Sequence, residues 1–152
     1  MKRLKSFIIV TSTLLGTTYL IFSILVFANW LLSTFYNVGI TLEPLTIPPD
    51  VGLFIVLFSA GSLLLAPVYY KKDFIKLLSC IFMGSIIALT AFIVQTLVIL
   101  SNIANIYVGL LIGEELEVNI ASLILRPDFL LGLLTIPNFL AIVKILKNYI
   151  RM

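Results

Sequence analysis

The chain has 152 residues, of which 61% are apolar and 11% are charged, and its formal net charge is +3. Ordinary globular proteins are about 45–50% apolar and about 25% charged, so this chain has too little polar surface to cover itself in water, and lipid must cover much of it. It has no histidine and one cysteine, which excludes haem ligation by histidine, catalysis by a serine–histidine–aspartate triad and an internal disulfide. Its cations stand in short clusters beside apolar runs, which is typical of membrane anchors. We therefore predict a lipid environment, no nucleic-acid partner, and no cofactor or metal.

The first predicted span covers about residues 7–32, an uncharged apolar run that follows Lys2, Arg3 and Lys5. A helix of this length rises about 39 Å, which exceeds the roughly 30 Å hydrocarbon core of a bilayer. A basic flank before an apolar run is also typical of a secretory signal peptide, but this run is too long for one. We therefore expect a retained first span.

The second span is predicted at 51–70 and the third at 75–101. Prolines and turn residues in the preceding segment, 33–50, exclude a continuous helix there. The short connection at Lys71–Asp73 predicts that the second and third spans are antiparallel neighbours. The apolar run of the third span continues to Ile112, which makes it too long for one crossing. Its last part is expected to extend the helix, to lie at the interface or to fold back.

The fourth span is predicted at 129–147, after a second outer segment at 102–128. Apolar and polar residues alternate over 116–121, a pattern typical of a short strand. The first outer segment could hold another extended piece over 39–47. We expect the two segments either to pair into a small β cap on the bundle or to form two solvated loops.

The charges predict which side of the membrane each connection faces. Nine of the ten Lys and Arg residues lie in the two termini and the loop after the second span, and Arg126 is the exception. Six of the seven acidic residues lie in the two outer segments. The positive-inside rule then makes both termini cytoplasmic. The prediction is an all-α, multi-pass protein of the cell membrane with four spans in a single domain.

Three amides lie within or near the ends of the predicted spans: Asn29, Gln95 and Asn138. A bare amide in hydrocarbon costs several kcal/mol, so each should face protein or water. They could line a polar path, or they could form interhelical hydrogen bonds, which contribute about 0.6 kcal/mol each. The central part of each span has no Asp, Glu, Lys or Arg, which counts against a self-contained proton or cation transporter.

Small residues follow one side of the third span. Cys80, Gly84 and Ala88 are spaced by four residues. Ala91 and Gln95 continue the same side. Such a face permits close approach of another helix, either within the bundle or from a partner protein.

We interpret the chain as a non-catalytic accessory subunit of a larger integral-membrane complex, with a respiratory or other energy-converting complex as the example, bound to other integral-membrane subunits. The alternative is a small homo-oligomeric transporter or channel in which Gln95 or Asn138 surrounds a shared pore. An intramembrane enzyme is disfavoured, because the spans offer only hydroxyls, amides and Cys80 as reactive groups.

Overall fold

A computed structural model describes residues 2–39, 45, 47–70, 73–112 and 120–150. Within these ranges the chain forms helices and no strand. The six helices, in chain order, are α1 (Lys2–Tyr36), α2 (Val51–Leu64), α3 (Ala66–Tyr69), α4 (Phe74–Ile112), α5 (Ile120–Ile124) and α6 (Pro127–Ile150).

Four helical stretches are long and apolar enough to cross a membrane. They are Lys5–Tyr36, Val51–Tyr69, Phe74–Leu111 and Pro127–Lys147. The prediction of an all-helical fold with four helices long and apolar enough to span a membrane is therefore confirmed for the described residues. Of the three courses expected for the end of the third span, the described residues follow the first, because α4 continues without interruption to Ile112.

The predicted β cap falls mostly outside the described residues. At Ile120 the structure begins the short helix α5, within the range 116–121 where alternation predicts a strand. An apolar run as short as 116–121 fits both the two-residue period of a strand and the 3.6-residue period of a helix, so periodicity alone cannot distinguish a strand from a helix here. The described end of the other outer segment is irregular but packed: Ile47 is buried, and its carbonyl oxygen accepts a hydrogen bond from Asn29.

Local sequence signals explain where the helices begin and end. Asn37 has a φ of 53°, the left-handed conformation that ends many helices, and Val38 N–H donates back to the carbonyl of Leu32. Asp50 caps α2 by accepting from the backbone N–H of Gly52 at 2.8 Å. These caps satisfy backbone groups that the helices themselves leave unpaired.

The connection between α3 and α4 has signals of its own. Pro67 has no N–H to donate to the preceding turn, so α2 stops at Leu64 and α3 begins afresh. Asp73 precedes α4, and its carboxylate accepts from the backbone N–H of Lys76 at 3.2 Å. That hydrogen bond is the main reason that the pKa of Asp73 is below its usual value.

The four long helices form a ring in which α1 packs on α2, α2 on α4, α4 on α6 and α6 on α1. Phe27, late in α1, packs against Phe54, early in α2, with 4.7 Å between the ring centroids. Ser12 of α1 bonds to Asn138 in the middle of α6, and Tyr19, further along α1, bonds to Thr135, which comes earlier in α6. Both pairs of helices therefore run in opposite directions, so α1 is antiparallel to α2 and to α6.

Two glycines let α4 approach its neighbours closely. A Cβ on Gly84 would lie 2.9 Å from Cβ of Leu63 on α2 and 3.1 Å from the carbonyl oxygen of Ala60. A Cβ on Gly132 of α6 would overlap Cβ of Phe92 on α4. Larger residues at either glycine would force the helices apart.

Charged residues mark the two ends of the bundle. Lys5, Lys76, Lys144 and Lys147 lie at one end, the basic end, where Nζ of Lys5 is 4.1 Å from the ring centroid of Phe74. Asp50, Arg126 and Asp128 lie at the other, the Asp128 end, beside Val98 of α4. Roughly 22 residues of α4 separate Lys76 from Val98, a rise of about 33 Å. The apolar belt is therefore about as thick as the hydrocarbon core of a bilayer.

Candidate functional site

A crevice of about 500 Å³, the α2–α4 crevice, lies at the Asp128 end of the bundle, where α2, α4 and α6 meet. Along α4 it runs from Val98 to Ile86, a depth of about 18 Å. Its volume is within the roughly 300–1,000 Å³ of small-molecule sites. Its lining is mostly apolar with a few polar groups: Asp50, Leu53, Val56, Ile86, Ile87, Thr90, Ala91, Val94, Gln95, Val98, Arg126 and Asp128.

The deep end of the crevice lies beside a close contact between α2 and α4. Gly84 brings the two backbones together near Ala60 and Leu63. Nearer the Asp128 end, the crevice is lined by Leu53 of α2 and Val94 of α4. Branched side chains hold backbones further apart than glycine does.

An ion pair stands at the rim of the crevice. Nε of Arg126 donates to Oδ1 of Asp128 at 3.3 Å, and Nη2 donates to Oδ2 at 3.2 Å. The Asp128 side chain is only 7% exposed, and that of Arg126 is 21% exposed. A two-point contact of this kind fixes both groups. Asp128 also lies in the first turn of α6, where a negative charge is favourable.

Gln95, one of the predicted polar residues, lies in the wall of the same crevice. Its side chain is only 3% exposed, and its Nε2 donates to the carbonyl oxygen of Leu123 at 3.2 Å. This bond ties the middle of α4 to α5. Gln95 thus helps to hold the segment that leads to Arg126 over the end of the crevice.

Asn138, the second predicted polar residue, belongs to a cluster between α1 and α6. Its Nδ2 donates to Oγ of Ser12 at 3.0 Å, and its Oδ1 accepts from Oγ1 of Thr11 at 3.0 Å. One turn away, the hydroxyls of Tyr19 and Thr135 are 3.2 Å apart. These are interhelical hydrogen bonds that satisfy buried polar groups within the chain.

Asn29, the third predicted polar residue, is buried near the Asp128 end. Its Nδ2 donates to the carbonyl oxygen of Ile47 at 2.6 Å. The bond attaches the segment before α2 to the side of α1. Asn29, Gln95 and Asn138 are therefore separate from one another, and each contacts a different element.

The small-residue face of α4 divides along its length. Gly84 lies against α2, and the carbonyl of Ala88 lies 3.3 Å from the position that a Cβ on Gly132 would take, so both pack inside the bundle. Cys80 is half-buried against the core. Ala91, like Gln95, lines the crevice.

The sequence reasoning missed the rim of the crevice. The signal was present: Arg126 and Asp128 flank Pro127 at the start of an apolar run. Opposite charges two residues apart at a helix start can pair across the first turn. The polar cluster between α1 and α6 had a weaker signal, the seven-residue spacing of Ser12 and Tyr19 on α1, which is two helical turns.

The described residues include no group of three or more histidine, cysteine, aspartate or glutamate side chains that could hold a metal ion. Comparisons with protein-family models, curated protein sequences and solved structures found no match for the chain.

Proposed function

We propose that this protein is a non-catalytic accessory subunit of a larger integral-membrane complex, and that the far end of α4 binds its partner. The supporting observation is that α4 continues without a break beyond Val98, at the level of the charged end of the bundle, through an apolar stretch at residues 106–112, the α4 extension. We further propose that both termini are cytoplasmic, because the basic end of the bundle then faces the cytoplasm. The α4 extension would project from the opposite face of the cell membrane.

The position of the α4 extension follows from helix geometry. It begins about 12 Å beyond Val98 and ends about 21 Å beyond it. The headgroup layer adds only about 5–8 Å to each side of the hydrocarbon core. Asn102 and Asn105 lie on the intervening turns, as expected for a helix that leaves the membrane there. The α4 extension is thus long enough to clear the lipid.

The apolar side chains of the α4 extension indicate that another protein covers it. Leu111 is 86% exposed, and Tyr107, Val108 and Leu110 are also largely exposed. A contiguous exposed apolar patch outside the membrane marks an interaction site. A partner that buried these four side chains would gain roughly 25 cal/mol for each Å² removed from water.

The alternative, a homo-oligomeric transporter or channel, would place Gln95 or Asn138 around a shared pore. Asn138 is 1% exposed, and both side chains are hydrogen-bonded within the chain. This favours the accessory role. The alternative predicts that Gln95→Leu and Asn138→Leu alter solute or ion flux in reconstituted vesicles, whereas an accessory role predicts no change.

A photo-crosslinking experiment in the native membrane tests the proposal. A photoreactive amino acid is placed at Tyr107 or at Leu111, and at Leu140 as the control. Leu140 is 61% exposed but lies within the membrane belt on α6. We expect crosslinks to a different integral-membrane protein from the two positions in the α4 extension, and none from Leu140.

Other results would contradict the proposal. Crosslinks from Tyr107 to a second copy of the chain would support the homo-oligomer. A complete lack of protein crosslinks from the α4 extension would overturn the accessory role. Mass spectrometry of the crosslinked partner, and of chains that co-migrate on a native gel, identifies the complex. A respiratory or other energy-converting complex is the class that we propose.

A further inference from the structure

We propose that the α2–α4 crevice binds one phospholipid that has a primary ammonium headgroup, with an acyl chain between α2 and α4 and the headgroup at the rim. This proposal does not depend on the accessory role, because the crevice and the α4 extension are different surfaces. It concerns a specific lipid site rather than the general lipid coating of the spans.

The crevice faces the apolar belt of the bundle, so a molecule bound in it would come from the bilayer. Ile86, Val94 and Val98 line it, and all three are partly exposed on the surface of α4 that the apolar belt covers. The crevice therefore opens sideways into hydrocarbon, while its far end reaches the charged rim. An amphiphile with its head at the membrane surface has the matching polarity along this axis.

The size of the crevice favours an occupant thinner than a transmembrane helix of a partner. A helix about 10 Å wide would fill roughly 1,400 Å³ over the 18 Å depth of the crevice. The crevice and its open mouth together hold about 1030 Å³. An acyl chain is thin and flexible enough to fill a narrow apolar crevice. It would make van der Waals contacts with the lining side chains that an empty crevice lacks.

The charges of the rim favour a headgroup with both a cation and an anion. Asp50 and Asp128 bring two negative charges and Arg126 one positive charge. Asp128 is already neutralised by Arg126, so among the described residues of the rim the uncompensated charge is that of Asp50. A free ammonium group complements Asp50. A choline headgroup has no N–H to donate, and a glycerol headgroup has no cation.

The hydrogen-bonding atoms of Asp50 and Arg126 that are not used within the protein suit an ammonium and a phosphate group. Oδ1 of Asp50 is occupied by the backbone of α2, which leaves Oδ2 for the ammonium. Arg126 uses Nε and Nη2 on Asp128. Its Nη1 has no hydrogen-bond partner among the described residues, and a guanidinium N–H is a strong donor to a lipid phosphate.

Native mass spectrometry of the full chain in mild detergent tests the proposal. Phosphatidylethanolamine, phosphatidylcholine and phosphatidylglycerol with identical acyl chains are added in turn. We expect one tightly held phosphatidylethanolamine, bound about tenfold more strongly than phosphatidylcholine, since one charge-assisted hydrogen bond separates them. Equal binding of the three lipids, or a preference for phosphatidylglycerol, would overturn the proposal.

Two variants test the binding of the headgroup and the binding of the acyl chain separately. Asp50→Asn keeps a helix cap of similar quality and should abolish the preference for the ammonium headgroup. Ala91→Phe fills the crevice and should release all three lipids, whereas the control Leu140→Phe, on the lipid-facing side of α6, should not. Unchanged selectivity in Asp50→Asn, or unchanged binding in a folded Ala91→Phe, would refute the site.

Discussion

Asn138 of α6 donates a hydrogen bond to Ser12 of α1 across the middle of the bundle, with 3.0 Å between Nδ2 and Oγ. Both side chains are fully buried, and Thr11 donates to the other end of the same amide. The amide is thereby satisfied by its own chain. A buried amide would otherwise cost several kcal/mol in hydrocarbon, so this contact fixes how α6 is rotated against α1.

A double-mutant cycle on Ser12→Ala and Asn138→Leu measures this contact. We expect each change to destabilise the bundle and the pair to show a coupling energy of about 0.6 kcal/mol, and no more than about 1.7 kcal/mol. The measurement is unfolding by denaturant in mixed micelles. The same cycle with Leu140→Ala in place of Asn138→Leu should show no coupling. Additive effects of Ser12→Ala and Asn138→Leu would mean that the two side chains do not interact.

Replacement of Gly84 tests the packing of α4 on α2. In Gly84→Ala the new methyl group would meet Leu63 at 2.9 Å, so the helices must separate slightly. We expect a loss of about 1–3 kcal/mol in the free energy of unfolding, and a larger loss in Gly84→Leu. Ser79→Ala, at an exposed position on the same helix, should change stability by less than about 0.5 kcal/mol. Equal stability of the two alanine variants would place Gly84 outside a close helix contact.

The Arg126–Asp128 ion pair predicts that substitutions of its two residues change the free energy of unfolding non-additively. Asp128→Asn leaves a partly buried guanidinium without its counter-charge and should cost about 1–3 kcal/mol of stability. The double variant Arg126→Gln with Asp128→Asn should recover part of that loss, because no charge is left unpaired. Thermal unfolding followed by circular dichroism gives both values. A double variant less stable than the sum of the singles would contradict the pairing.

Labelling of single cysteines tests the proposed orientation. Cys80 is first replaced by serine, and cysteine is introduced at Ser6, at the basic end, or at Asn37, at the opposite end; both positions are exposed. A membrane-impermeant maleimide should label Asn37→Cys on intact cells. It should label Ser6→Cys only after the cells are permeabilised. The reverse pattern would invert the topology.

Much of the candidate site lay beyond sequence reasoning. The burial of Gln95 and Asn138 was predictable, because an amide in an apolar run must face protein or water. Their partners were not, because Ser12 and Leu123 are distant in the sequence from the amides that they meet. The crevice itself depends on how α2, α4 and the start of α6 pack together, and no local sequence pattern encodes that packing.

The sequence by itself determined the class of the protein. Four apolar runs of at least bilayer length, with no charge in their central parts, can satisfy their backbone hydrogen bonds in lipid only as helices, so composition and run length suffice. Only the tertiary structure decided what each face does. In the structure, Gly84 packs inside the bundle and Ala91 faces a crevice, although the two lie on one side of the same helix. The physical reason is that lipid and protein interior are equally apolar, so hydrophobicity along a span does not tell a helix which side meets a neighbour.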